Sequence, residues 1–218
     1  MPRLGLISDT HGQLPVVGEI EALKLDALIH AGDIGVDVAP LKWWEQVFVP
    51  WAQALPCPFY GTWGNHDFIG EPRVKQKPSM PAGVTMAVDE AVDVCGIKTW
   101  FSPWSPPCGA WAWMRTDAEL ATFYAQIPDE VRLVVSHTPP EGAGDLCPDG
   151  NAGSKALRQW LDRHRDKILV CGHIHEGAGS YQLSAHSPTR DVRNTVINVS
   201  VVDEWYRVRR GPFVLELS

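Results

Sequence analysis

Short apolar runs that end in polar residues recur along this chain. Five segments share the pattern, and each ends in Asp or His: RLGLISD (3–9), DALIHAGD (26–33), PFYGTWGNHD (58–67), VRLVVSH (131–137) and KILVCGH (167–173). A short apolar run bounded by turn residues is typical of a buried strand. The pattern therefore predicts five strands whose polar ends carry the chemistry of the chain.

Helical periodicity lies between some of these strands. Apolar residues at helical spacing predict helices over 14–25 and 41–55, and Pro50 is expected to kink or divide the second helix. Thr116 begins a capping-box pattern at the start of TDAELATFYAQI. Ser154 is the candidate N-cap of a helix over SKALRQWLDRH.

Further strands are predicted in the middle and near the end of the chain. The segments are VTMAVDEAVDVCGIKTWF (84–101), as a meander, and then NTVINVSVV (194–202) and GPFVLELS (211–218). Strands that alternate with helices indicate an α/β fold. In such folds, ligands bind beyond the carboxyl ends of the strands, which is where the polar residues lie.

Composition and charge narrow the class of protein. The 218 residues are 44% hydrophobic and contain no apolar run of membrane-spanning length, so we predict one domain over 1–218 and no contact with a membrane. Five cysteines without a CxxC pair, and an N-terminus unlike a signal peptide, favour a reduced, cytoplasmic protein. The net charge of −7 argues against a long nucleic acid as partner. The oligomeric state is left open, with a homodimer as one option.

The polar strand ends offer a set of metal-binding donors. The candidates carry oxygen or imidazole donors: Asp9, His11, Asp33, Asn65, His66, His137, His173 and His175. Such donors suit Mn, Fe, Zn or Co better than a structural zinc site built from cysteines. The set is too large for one ion and about right for two ions roughly 3.5–4 Å apart. Glycines adjoin several donors, for example Gly64 and Gly172, where tight turns or close backbone approach are expected.

The donors form five ordered blocks. They are Asp9-x-His11, Gly32-Asp33, Gly64-Asn65-His66-Asp67, His137 and Gly172-His173-x-His175. This set resembles the calcineurin-like metallophosphoesterase superfamily. A second set resembles its small metallophosphoesterase-domain-containing phosphodiesterases: SPW (102–104), GAWAWM (109–114), SHTPPEGAGD (136–145), GSKALR (153–158), GHIHEG (172–177) and VINVSVV (196–202). The resemblance implies a four-layer α/β/β/α sandwich with two central mixed sheets.

The resemblance also implies a role for each donor. The first metal ion would be bound by Asp9, His11 and His175. The second would be bound by Asn65, His137 and His173. Asp33 would bridge the two ions, and His66 would face the substrate, as general acid for the leaving oxygen or as a cation on the phosphoryl group. The implied cofactors are two divalent ions, with Mn as first choice and Fe, Zn, Co or Ni as the others.

The function that follows is a binuclear metal-dependent phosphoesterase. We expect a phosphodiesterase that hydrolyses small phosphodiesters or cyclic and linear nucleotides by attack of a metal-bridging hydroxide, because two cations lower the pKa of a shared water. Three alternatives stay open at this point. They are a phosphomonoesterase with the same site, a zinc hydrolase of esters or amides, and a non-catalytic binding module.

Three further features have two readings each. Several of the ten tryptophans lie in 100–114, where they either build core or form a substrate wall that stacks on bases, with Trp104 as the candidate for substrate contact together with Asn65 and His66. His30 is expected to lie behind the ligands rather than among them. Asp67 either orients His66 or caps a turn.

Overall fold

The structure, a computed structural model, describes residues 1–148, 150–187 and 190–217. The predicted domain over 1–218 also includes positions 149, 188, 189 and 218, which lie outside the described residues. The strands, in chain order, are β1 (Arg3–Ile7), β2 (Ala27–His30), β3 (Phe59–Gly61), β4 (Val84–Met86), β5 (Glu90–Val94), β6 (Ile97–Ser102), β7 (Leu133–Ser136), β8 (Leu146–Cys147), β9 (Gly150–Asn151), β10 (Ile168–Cys171), β11 (Gly179–Ser187), β12 (Arg190–Asn198) and β13 (Phe213–Glu216). All five strands predicted to end in polar residues are present.

The helices connect these strands. In chain order they are α1 (Val17–Ala22), α2 (Pro40–Trp43), α3 (Val49–Gln53), α4 (Asp117–Tyr124) and α5 (Lys155–Arg163). A π-helical turn over Trp44–Phe48 separates α2 from α3, just before Pro50. Proline has no N–H to donate to the preceding turn, so the predicted division of this helix is confirmed.

Both predicted N-caps are confirmed. The hydroxyl of Thr116 accepts a hydrogen bond from the backbone N–H of Glu119, and the Glu119 carboxylate accepts the backbone N–H of Thr116 at 2.9 Å. Ser154 accepts the N–H of Leu157 at 3.1 Å at the start of α5. These bonds satisfy N–H groups that the first turn of a helix leaves without partners.

The strands form two mixed sheets and a small hairpin. The first sheet has the order β13-β1-β2-β3-β4, with β13 antiparallel to β1 and the other pairs parallel. The second has the order β11-β12-β10-β7-β6-β5, with antiparallel pairs at its two edges. The hairpin consists of β8 and β9. In each large sheet the central strands are parallel, so their carboxyl ends lie at the same edge.

Alternating side chains build two kinds of core. Residues such as Leu6, Ile29 and Val135 point between the sheets and pack into one buried cluster. Their neighbours in sequence, such as Leu28, pack with the apolar residues of the helices in a second cluster. The result is a four-layer α/β/β/α sandwich with two mixed sheets at its centre, as the resemblance implies.

Two details differ from the prediction. The segment 84–101 is not a single meander, because β4 pairs with β3 in the first sheet while β5 and β6 form a hairpin in the second. Strands β8, β9 and β11 were not predicted, and β11 pairs antiparallel with β12. Local alternation identifies a strand, whereas its partner is chosen by contacts distant in sequence. None of the helices formed by the described residues is both long and apolar enough to cross a membrane.

Candidate metal centre

Two groups of donor side chains meet at the carboxyl ends of the strands. The first donor group consists of Asp9, His11 and His175. The second consists of Asp33, His137 and His173. Within each group the donor atoms lie within 4.8 Å of one another. Each group combines residues that follow strands of the first sheet with residues that follow strands of the second, so both groups require the packing of the two sheets.

The first donor group is held by close imidazole and carboxylate contacts. The Nε2 atoms of His11 and His175 are 3.3 Å apart, and His175 Nε2 is 3.6 Å from an Asp9 carboxylate oxygen. The Nδ1–H of His175 donates to the backbone oxygen of Asp203 at 3.2 Å, which leaves Nε2 facing the group. Burial would raise the pKa of Asp9, but the hydrogen bond and charge of His175 outweigh it and lower that pKa to about 2. Asp9 is therefore ionised at neutral pH.

The second donor group is more deeply buried. His137 Nε2 lies 3.5 Å from a carboxylate oxygen of Asp33 and 2.9 Å from the amide oxygen of Asn65. The His137 Nδ1–H donates to the backbone oxygen of Ala31 at 2.9 Å. Burial would lower the pKa of His137, but the charge and hydrogen bond of Asp33 raise it to about 9. The space between the donors of the second group therefore favours a positive charge. The amide oxygen of Asn65 lies beside this group.

Asp33 lies between the two groups. Its Oδ2 atom is 3.5 Å from Nε2 of His137 and 3.8 Å from Nε2 of His11. Its Oδ1 atom accepts the backbone N–H of His66 at 2.8 Å. Burial would raise the pKa of Asp33, and the neighbouring His137 lowers it well below its usual range. A single ionised carboxylate thus contacts both groups, which is the arrangement that a bridging ligand requires.

The donors fit a pair of divalent cations. The carbonyl partners engage Nδ1 of His137 and of His175, so Nε2 is the nitrogen of each ring that faces its donor group. In the second group Nε2 lies 2.9 Å from the Asn65 oxygen, and in the first it lies 3.3 Å from another imidazole nitrogen. A divalent cation would take the place of the proton that is shared in each of these contacts. Imidazole, carboxylate and amide donors without thiolate suit borderline or hard divalent ions.

The backbone at these donors adopts an uncommon conformation. Positive φ angles occur at Asp9 (56°), His11 (44°), Asp33 (58°) and His173 (67°). Such angles cost about 1–3 kcal/mol per residue and persist where the surrounding structure enforces them, often at functional sites. The strand ends are thus bent so that each side chain turns towards the shared space.

Two glycines allow the donors to approach. A Cβ atom on Gly64 would collide with the carboxylate and backbone N of Asp33, and one on Gly172 would collide with Ser8 and with the Asp9 carboxylate. Both glycines are therefore required by close packing, as the sequence led us to expect. The His173 N–H, next to Gly172, donates to the same Asp9 carboxylate at 3.0 Å.

His30 and Asp67 stabilise the loops that carry the donors. Buried His30 accepts the Gly32 N–H at 3.2 Å through Nδ1, and its Nε2–H donates to the Thr10 hydroxyl at 3.0 Å. Burial lowers the pKa of His30 to about 3, so the ring is neutral. It lies behind the donors, as predicted. Asp67 accepts N–H bonds from Ile34, Gly35 and Gly64, so it fastens one donor loop to the next rather than orienting His66.

Asp37, and not Asp67, contacts the ring of His66. The His66 Nδ1–H donates to Oδ1 of Asp37 at 3.0 Å. The ring stands edge-on to His11, with centroids 4.9 Å apart. The sequence reasoning missed Asp37, although a second aspartate four residues after Asp33 in GDIGVD was a visible signal. His66 therefore lies beside the first donor group with a carboxylate behind it.

The tryptophan-rich segment divides between core and site. Trp104 is 5% exposed, donates from Nε1 to Asp89 at 2.6 Å and stacks on Phe123. This position favours the core reading and speaks against the expected substrate contact of Trp104. Trp111 is 38% exposed instead, and its ring centroid is 4.1 Å from that of His66.

Tyr206 also reaches the site without having been predicted. Its ring centroid lies 4.7 Å from that of His11 and 5.2 Å from that of His175. It belongs to the loop before β13, in a run of aromatic and basic residues, WYRVRR, that carries no recognisable motif. Only the folded chain brings this loop beside residues that precede it by up to about two hundred positions.

Comparison with known proteins points to one family. Residues 2–177 match the family described as Calcineurin-like phosphoesterase. The chain is 28% identical to metallophosphoesterase domain-containing protein 1 of Homo sapiens, over 99% of this chain and 71% of that protein. It is 29% identical to a UPF0046 protein of Caenorhabditis elegans, over 59% of this chain and 31% of that protein.

A solved structure shows the same fold. The protein TT1561 of Thermus thermophilus superposes with a TM-score of 0.61, covering 97% of this chain and 98% of that chain at 12% sequence identity. The two chains therefore share the arrangement of sheets and helices despite little sequence similarity.

Proposed function

The chain belongs to the calcineurin-like phosphoesterase family, and we propose that it is a metal-dependent phosphodiesterase acting on small phosphodiesters, including nucleotides. The observation that carries this proposal is the meeting of two donor groups at one carboxylate, Asp33, with His66 beside them. The family places the chain among hydrolases of phosphoesters. The diester, the residue roles and the metal are our proposals.

The proposed ligands follow the two groups. Asp9, His11 and His175 would hold one divalent ion. Asn65, His137 and His173 would hold the other, and Asp33 would contact both. Manganese is our first choice for these donors. When bound, the ions supply Lewis acidity that lowers the pKa of a water molecule and offsets charge on the phosphoryl oxygens.

His66 would deliver a proton to the leaving oxygen. The Asp37 carboxylate keeps a proton on Nδ1, so Nε2 is the nitrogen left to serve the substrate. The backbone N–H of His66 is fixed on Asp33, which couples the position of this residue to the centre of the two donor groups. Proton transfer of this kind contributes about 10²–10⁴-fold to a rate.

The surrounding charge supports a diester rather than a monoester. Among the described side chains, Arg207 and Arg209, in the loop that carries Tyr206, are both paired with Asp203. A monoester dianion calls for more positive charge at its phosphate than a diester monoanion does. Because both arginines are paired with a carboxylate, they are not free to offset the charge of a dianion. This favours a diester over a monoester as substrate.

The test compares three substrates on metal-loaded protein. We expect Mn-dependent hydrolysis of bis(4-nitrophenyl) phosphate, slower hydrolysis of 4-nitrophenyl phosphate, and no turnover of 4-nitrophenyl acetate above background. His66→Ala should retain both ions and lose about 10²–10⁴-fold in kcat. Faster cleavage of the monoester would replace the proposal with a phosphatase, and binding of Mn without any hydrolysis would favour a binding module.

The number of domains is also a proposal. We propose that the chain forms one domain, because β13 pairs with β1 and each donor group draws on both sheets. The cytoplasmic location stays a prediction of the sequence, and the oligomeric state stays open, with a homodimer as one option.

A further inference from the structure

Three exposed aromatic side chains lie around His66 and the first donor group. Phe68 is 37% exposed, Trp111 38% and Tyr206 47%, and we call these three residues the aromatic rim. Trp111 contacts both His66 and Phe68, with ring centroids 4.1 Å and 6.1 Å away. Large aromatic rings are normally buried, so rings left open beside a polar site call for an explanation.

The position of Trp111 is fixed by the donor loops. The next residue, Ala112, donates its backbone N–H to the backbone oxygen of Asn65 at 3.0 Å. Trp113 donates from Nε1 to the backbone oxygen of Asp67 at 3.1 Å. The indole of Trp111 is tilted by 32° over His66, so one of its faces covers that ring while the side chain stays partly open to solvent. The donor loops therefore hold the indole of Trp111 in place before a ligand binds.

Tyr206 is fixed from the opposite end of the sequence. The Asp203 carboxylate accepts N–H bonds from the residues on either side of Tyr206, at 3.0 and 2.9 Å. The Gln13 amide donates to the Tyr206 backbone oxygen at 2.8 Å. Its φ angle is 60°, a conformation that bulky residues adopt rarely and that four of the metal-donor residues share. The fold thus holds this ring in place next to the first donor group at a conformational cost.

We propose that the aromatic rim binds a planar aromatic group of the phosphoester substrate, such as a nucleobase, stacked on the open side of Trp111 with Tyr206 as the wall nearest the donors. This inference depends on the proposed function, since it requires the phosphate at the two donor groups. The ring of His66 is 6.3 Å from that of Tyr206 and 4.1 Å from that of Trp111, so a group esterified to a phosphate beside His66 reaches both walls. Stacking needs only a flat face, so the rim selects a planar group over an alkyl group without selecting one base.

The test uses two ligands that differ only in the base. Adenosine 5′-monophosphate and ribose 5-phosphate present the same phosphate and sugar to Mn-loaded protein, and calorimetry measures their binding as monoesters, which we expect to be hydrolysed slowly. We expect adenosine 5′-monophosphate to bind about 10- to 100-fold more tightly. Trp111→Ala should remove most of that ratio, Trp111→Phe should retain most of it, and Tyr206→Ala should reduce it about threefold.

The matched control is Trp205→Ala. Trp205 is 64% exposed, neighbours Tyr206 and contacts Arg207 at 4.5 Å, so its removal changes an exposed indole outside the rim. It should leave the ratio unchanged. Equal binding of the two ligands to the native protein would overturn the proposal, and so would an equal loss of both ligands in Trp111→Ala and Trp111→Phe. Neither result depends on hydrolysis, so a failure of the rim is distinguishable from a failure of the proposed activity.

Discussion

The two donor groups hold similar ligands in different surroundings. In the second group the side chains of His137 and Asp33 are 0% and 2% exposed, and the imidazole is fixed to a backbone oxygen in the loop after β2. In the first group His11 and His175 are 10% and 11% exposed, and His175 depends on the loop at Asp203. The second group is therefore part of the packing between the sheets, while the first is completed by a surface loop.

This difference separates two tasks. Asp33 and His137 lie inside the sheet interface, where moving either side chain disturbs the core, so this position suits them to hold an ion. A group at the opening can admit a ligand, and it is the one next to His66 and the aromatic rim. Asp33 is the contact through which the two groups depend on each other.

Removal of Asp33 should break both groups at once. Asp33→Ala deletes the carboxylate within 4 Å of His11 and His137, so we expect loss of at least one ion and a fall in kcat/KM of about 10³-fold or more. Metal analysis after gel filtration and turnover of an aryl phosphodiester check this. Two retained ions with near-native turnover would refute the shared position of Asp33.

Removing one histidine from each group should lower the stability of the metal-free protein by different amounts. In metal-free protein, His137→Ala leaves the buried Asp33 charge without its partner, and we expect the free energy of unfolding to fall by about 3 kcal/mol or more. His11→Ala, at a more exposed position, should cost about 1 kcal/mol or less. Denaturant unfolding in the presence of a chelator measures both. Equal losses would show that the two groups do not differ in their structural role.

A change in the surface loop should weaken only the first group. Asp203→Ala removes the acceptor of four hydrogen bonds in the loop whose backbone oxygen orients His175. Loss of such an outer partner lowers metal affinity by about 10- to 100-fold, and we expect the lower end of this range at one ion and little change at the other. Manganese titration followed by calorimetry resolves the two sites, and a loss shared by both would contradict the separation.

The smallest effect should come from Asp37. Its side chain is 54% exposed, so Asp37→Asn should lower kcat about 3- to 10-fold while both ions stay bound. The informative control is the same change in a His66→Ala background. There it should cause no further loss, because the carboxylate acts through that ring. An additive loss would mean that Asp37 acts elsewhere.

Much of the fold was predictable because its signals are local. The strand ends, the cap at Thr116, the cap at Ser154 and the disturbance before Pro50 each depend on a few neighbouring residues. The pairing of β4 with β3 was not predictable from alternation, because the same pattern fits either sheet. Partner choice depends on packing between segments distant in sequence.

The sequence by itself determined which donors this chain carries and in which order they follow the strands. The tertiary structure decided how they combine, because the two sheets must pack before His137 and Asp33 lie 3.5 Å apart. It also buried Trp104 in the core, while Trp111 and Tyr206 are exposed aromatic residues beside the site. Residue type limits which bonds a side chain can form, whereas burial and proximity are properties of the packed chain, and they select the bonds that exist.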